Sequence, residues 1–233
     1  MRFAYWFILV VGFLVLGIMF MDSYLNKAYG DYLDLTGTVW DKEPIFCIIK
    51  PANMTQFEEL GYSKYQLIKY VNLWKIKLNH YTDSKDWKYT TVFMNKDSTT
   101  EWCGVRIYFM DSGKKDGAIG VTECYSLRKA PEEVFCDITI FTKYLKNEFI
   151  GSTITHEVGH ALGLGHRLAY TPCDFAAVVT SFDIMMAQAG RNQKITDDDL
   201  NALIQIYGED GFKEPNNRSG DKFEINPKPL KCV

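Results

Sequence analysis

The stretch HEVGHALGLGH, residues 156–166, constrains this chain more than any other part of it, because it holds three of only four histidines in the sequence. His156 and His160 are four residues apart, so on a helix their imidazoles project from one face, one turn apart, and can share a metal. Glu157 is rotated by about 100° from His156. From there it can reach a metal-held water without being a ligand itself. Gly163 can break the helix three residues after His160, and the sharp turn it permits returns His166 as a third ligand. Three neutral nitrogens with one position left open describe catalytic zinc, whereas structural zinc is closed by four protein ligands. The metal is not needed for folding, since 233 residues can bury a core unaided.

The flanking sequence reads as an α+β domain. IFCIIK (45–50) is a candidate strand. A helix follows, with Ser63 and Gln66 in capping-box spacing and Leu67, Ile68, Val71, Trp74 and Leu78 on one face, ending near Asn79 and His80. Four further strands are predicted at YTTVFM (89–94), VRIYFM (105–110), AIGVTECY (118–125) and VFCDITIF (134–141), all rich in β-branched and aromatic residues. FIGSTITHEVGHALGL is the second helix, with Asn147 as its expected N-cap. The segment from Arg167 to about Met186 carries no assignable element. Loops that long inside a domain are usually functional. TDDDLNALIQIYG is the last helix, capped by Thr196, with Leu200, Leu203, Ile204 and Tyr207 on one face and Gly208 as its stop. The order is βαββββαα, with a domain over 44–210, a stalk over 22–43 and a polar tail over 211–233.

The N-terminus sets the address. Residues 3–21 are nineteen in a row without a charge, and as a helix they span roughly 28 Å, close to the hydrocarbon thickness of a bilayer. An uncleaved anchor is favoured over a cleaved signal, because the apolar run is long and bulky residues occupy the expected cut region. Arg2 on the short flank keeps the N-terminus inside, so the domain faces outward, membrane-anchored or, after cleavage, secreted. Six cysteines without a CxxC pair read as disulfides of an oxidising exterior. A formal charge of −3 offers no footprint for nucleic acid. The acidic loop DSGKKDG (111–117) could hold calcium, but it lacks EF-hand spacing and reads as a solvated turn.

HEVGHALGLGH resembles the HExxHxxGxxH pattern of the metzincin zinc endopeptidases. SFDIMMAQ resembles their Met-turn, with Met185 as the turn methionine and Met186 the alternative. The ending DDDLNALIQIYG and the element order are most similar to the matrixin catalytic domain. That resemblance implies a zincin-like fold in which a twisted five-stranded mixed sheet is accompanied by three helices; the transmembrane or signal helix read from residues 3–21 precedes it. It also implies that 118–125 is an antiparallel edge strand beside the cleft, adjacent to 134–141, with Cys124 and Cys136 positioned to pair. Two features depart from the matrixin pattern. Arg167 stands where serine is usual, and no cysteine switch precedes the domain.

The implied activity is hydrolysis of internal peptide bonds in proteins outside the cell. Zinc held by His156, His160 and His166 activates water, and Glu157 serves as general base and then general acid. A non-catalytic binding module built on the same fold would be expected to lack the glutamate, and Glu157 is present. Selectivity is expected from the loop before Met185 and from 187–194, with a hint of a hydrophobic preference.

Overall fold

Leu67, Val71, Trp74 and Leu78 recur at three- and four-residue spacing, and all four are buried on one face of a helix over Lys64–Tyr81. The Ser63 hydroxyl caps that helix by accepting from the Gln66 N–H at 3.4 Å. The computed structural model describes residues 32–36, 38–59, 61–112, 117–127, 130–143, 147–168, 183–187 and 193–212. The apolar run 3–21, most of the loop before Met185, Cys173 and Cys232 lie outside them. The chain divides into two units, one of residues 33–167 and 181–224, the other of 1–32, 168–180 and 225–233. Of the second, only Tyr32 and Leu168 are described.

In chain order the elements are β1 (Tyr32–Leu35), β2 (Ile45–Ile49), α1 (Met54–Glu59), α2 (Lys64–Tyr81), β3 (Thr90–Met94), β4 (Val105–Met110), β5 (Gly120–Leu127) and β6 (Ala130–Phe141). A 3₁₀ turn (Asn147–Phe149), α3 (Ile150–Ala161), β7 (Leu164–Leu168) and α4 (Asp197–Tyr207) complete them. Five strands form one mixed sheet in the order β3-β2-β4-β6-β5. The first four are parallel and β5, at the edge, runs antiparallel to β6. The α+β class, the five strands and the antiparallel edge all match the sequence expectation.

Register divides the sheet into two faces. Ile48, Ile107 and Ile138 lie abreast and are fully buried, forming an inner row. Cys47, one residue away, belongs to the opposite face, where it clusters with Ile49, Met94 and Cys103. A Cys47–Cys103 disulfide ties the segment before β4 to that face. The second disulfide joins Cys124 to Cys136, which are register partners on β5 and β6 with Cα atoms 4.1 Å apart. This is the pairing implied by the matrixin resemblance.

The structure corrects several details. Four α-helices, not three, occur among the described residues; the extra one, α1, is six residues long, too short for helical periodicity to register. Inside the segment read as a stalk, β1 pairs with β7 in a two-stranded sheet, and Trp40 is buried. Backbone pairing of this kind leaves no side-chain period to read. α3 starts at Ile150 behind the 3₁₀ turn, so Asn147 does not cap it. On α4, the expected Thr196 cap and Gly208 stop are present, but Ile206 is buried and Ile204 only half-buried. Ile206 packs against Gly163, where a Cβ would lie 3.4 Å from its Cδ1. Order also continues past Gly208: Phe212 is buried against the rings of Trp87, Tyr89 and Tyr207. No helix among the described residues is long and apolar enough to cross a membrane.

Candidate functional site

Three aromatic side chains hold α3 by its backbone carbonyls. Trp74 Nε1 donates to Thr155 O at 2.8 Å, Trp40 Nε1 to Ala161 O at 2.7 Å, and the Tyr207 hydroxyl to Leu162 O at 2.9 Å. The last two sit where helical carbonyls run out of partners, so they terminate the helix as well as bury it. Gly163 then takes φ +107°, a left-handed conformation that glycine adopts without strain. A Cβ there would also stand 2.5 Å from Thr38 O. The chain turns at this point into β7, which carries His166.

The turn brings the three predicted histidines together. Their nitrogen ligand atoms lie within 4.8 Å of one another. His160 Nε2 is 2.9 Å from His156 Nε2 and 3.2 Å from His166 Nε2. His156 Nδ1 lies 2.6 Å from Ile184 O, and His160 Nδ1 lies 2.7 Å from Leu164 O. A carbonyl can only accept, so both Nδ1 atoms carry the proton and both Nε2 atoms present lone pairs. Lone pairs this close repel unless a cation stands among them. Nitrogens bound to one tetrahedral zinc at 2.0–2.1 Å would be about 3.3 Å apart, and the two separations from His160 Nε2 are near that value. The donor set therefore fits zinc.

Electrostatics favour the same form. Burial holds His156 down at about 4 and His160 at about 3, with the neighbouring imidazoles adding to the depression. Burial also lowers His166. All three imidazoles are therefore neutral at pH 7, the form that can serve as a ligand.

Glu157 is buried at 4% exposure beside this cluster. Thr122 Oγ1 on β5 lies 2.6 Å from Glu157 Oε2 and 3.0 Å from its backbone carbonyl. A cleft of about 150 Å³ opens between the β5 edge and α3, with Ile119, Ser152, Thr153, Met186 and Gln193 among its lining residues together with His156, Glu157 and His166. The described walls mix polar and apolar groups. Residues 169–182 and 188–192, where selectivity is expected, lie outside the described residues, as do 113–116 of the loop weighed for calcium.

Met185 is fully buried, and a Cβ on Gly159 of α3 would meet its sulfur at 2.5 Å. It thus lies against the histidine helix. Met186 is only half-buried and lines the cleft.

Sequence reading missed how these parts are joined. Arg167, the departure from the matrixin pattern, pairs with buried Asp183 and, at 2.8 Å, with Asp198. Its N–H donates to Met185 O at 2.9 Å. Asp183 Oδ1 accepts from the Met185 N–H at 2.7 Å, and its Oδ2 lies 3.0 Å from the Thr196 hydroxyl. The network links the strand of His166, the turn of Met185 and the cap of α4. Burial and the Asp183 charge raise Asp199, in that same cap, to about 7. An isolated arginine and an isolated aspartate in sequence carry no sign of such a pairing. The Thr122 contact was equally invisible.

No family model matches the chain, and a search of curated proteins finds no significant match. Among solved structures, two of myroilysin align at 15% identity. They cover 74% and 72% of this chain and 86% and 80% of theirs, with TM-scores of 0.35 and 0.37. Metalloproteinase-II from Bacteroides fragilis aligns at 16% identity over 76% of this chain and 55% of that one, with a TM-score of 0.41. Scores this low assign neither family nor activity, and the side chains of the site carry the functional reading.

Proposed function

We propose that this protein is a zinc-dependent endopeptidase of the metzincin type, similar to the matrixins, acting on proteins or peptides outside the cell. The observation that carries the reading is the convergence of three histidine Nε2 atoms, two of them with lone pairs fixed by backbone carbonyls on the opposite ring nitrogen, beside a buried glutamate in a cleft. His156, His160 and His166 would hold the ion. When bound, zinc supplies Lewis acidity, acidifying water and polarising a peptide carbonyl.

Glu157 takes the proton of the attacking water and passes it to the departing amine, as its place one residue from a ligand and at the cleft wall allows. Among the described residues β5 is the edge strand of the sheet beside the cleft, and an extended peptide can add to it as a strand. No serine or cysteine nucleophile is required. Met185 supports the histidine helix from below.

The extracellular assignment rests on the uncharged run 3–21, which as an anchor leaves the domain outside, and on the Cys47–Cys103 and Cys124–Cys136 disulfides, which suit an oxidising compartment. Chelation tests the chemistry. The full chain should lose cleavage of a mixed peptide library on dialysis against a zinc chelator and regain it with stoichiometric zinc. Cleavage that persists through chelation would sink the reading.

A further inference from the structure

We propose that Gly120 and Thr122 form a seat on the edge strand that orients the Glu157 carboxylate, with the Thr122 hydroxyl as a positioning group. The inference rests on the reading of Glu157 as proton carrier.

Gly120, Thr122 and Cys124 alternate along β5 and share its inward face, the face of Ile138 and Ile140 on β6. The two ends of the seat act differently. A Cβ on Gly120 would stand 2.5 Å from Glu157 Oε1, 2.8 Å from its Cγ and 2.8 Å from Thr153 Cγ2. Gly120 has no positive φ, so glycine is demanded there by space, not by backbone conformation. Only an absent side chain lets the carboxylate lie against the strand.

Thr122 contributes the opposite, a specific contact. Its hydroxyl lies 2.6 Å from Glu157 Oε2 and 3.0 Å from the Glu157 backbone carbonyl, so its single proton is directed to the nearer, carboxylate oxygen. A glutamate has three side-chain torsions, and ordering them costs free energy that must be met before reaction if the proton is to travel along one line. Hydrogen bonding of Oε2 fixes the carboxylate's rotation and leaves Oε1 over Gly120, which lines the cleft. The seat is itself anchored. The Cys124–Cys136 disulfide ties β5 to β6 two residues beyond Thr122 on the same face.

The test compares the full-length wild type with Thr122→Val, which keeps the branched shape without the donor, and Thr122→Ser, which keeps the donor. Two quantities are read. One is kcat and KM of the zinc-loaded protein on a single fluorogenic peptide. The other is the ¹³C resonance of the Glu157 carboxyl carbon in the metal-free protein, assigned with Glu157→Gln. Thr122→Val should lower kcat by about tenfold with KM within about twofold and zinc content unchanged. Its Glu157 resonance should move, and Thr122→Ser should bring both readouts back toward wild type. Unchanged kcat and an unmoved resonance in Thr122→Val would overturn the proposal, as would a serine variant no better than valine. Wild-type protein that binds zinc but cleaves nothing would instead defeat the peptidase reading, and the resonance would still decide the seat.

Discussion

Gly159 and Met185 are packed so that a single added carbon on the glycine would stand 2.5 Å from the methionine sulfur and 2.9 Å from the Trp74 ring. The methionine end can shift, but the fully buried ring cannot. Gly159→Ala should therefore destabilise the fold by ~1–3 kcal/mol, the usual range for overpacking. Met185→Leu, which nearly conserves volume, should cost under about 1.5 kcal/mol. Denaturant midpoints of the two variants check the order; a harmless Gly159→Ala would contradict the packing.

Arg167 pairs with an aspartate that is 3% exposed. Removing the arginine leaves that charge buried beside Asp199, which the Asp183 charge already disfavours in its ionised form. Arg167→Ala should destabilise by ~3 kcal/mol, in the range for breaking a buried pair. Because Arg167 adjoins His166, the variant should also bind zinc less tightly, as competition with a chromogenic chelator would show. Unchanged stability would mean that Asp183 is satisfied without it.

His166 is the most exposed of the three histidines and the only one on a strand. His166→Ala should leave the fold intact, since its ring adds little to the buried core, while reducing zinc affinity by at least about 100-fold. Titration with zinc by calorimetry measures both consequences. Unaltered affinity would remove β7 from the site.

The depressed histidines give a pH dependence with a definite sign. In the metal-free fold His156 titrates at about 4 and His160 at about 3, whereas in the unfolded chain both take up protons below their ordinary 6.5. Their contribution is complete above pH 6.5 and is lost as pH falls toward 4. Asp199, raised to about 7, acts in the opposite direction, contributing stability that is present below 3.8 and is lost as pH rises from there to about 7. The difference between wild type and His160→Gln isolates one histidine. That difference should shrink by on the order of 2–3 kcal/mol between pH 7 and pH 4. A pH-independent difference would show that His160 titrates normally.

Much of this architecture is legible in the sequence because it depends on local pattern. The four-residue histidine spacing, the breaking glycine at 163 and the β-branched runs each act through neighbouring residues. They suffice to place five strands, the helix of His156 and His160, and the Thr196 cap. What is not legible depends on long-range meetings between residues with no periodic partner. Arg167 finds Asp183 from 16 residues away in sequence, Thr122 finds Glu157 across the gap between strand and helix, and Trp40 reaches Ala161 from a segment that looks like a stalk. β1 and β7 join through backbone groups that every residue possesses.

The central claim is that Glu157 moves the proton while the three histidines hold the zinc. It is tested most directly by measuring zinc content and peptide cleavage on the same samples of full-length wild type and Glu157→Ala. Near one zinc per chain in both, with cleavage lowered by at least about 100-fold in the variant alone, is the predicted result. Near-normal turnover by Glu157→Ala, or a wild type that holds no zinc, would contradict it.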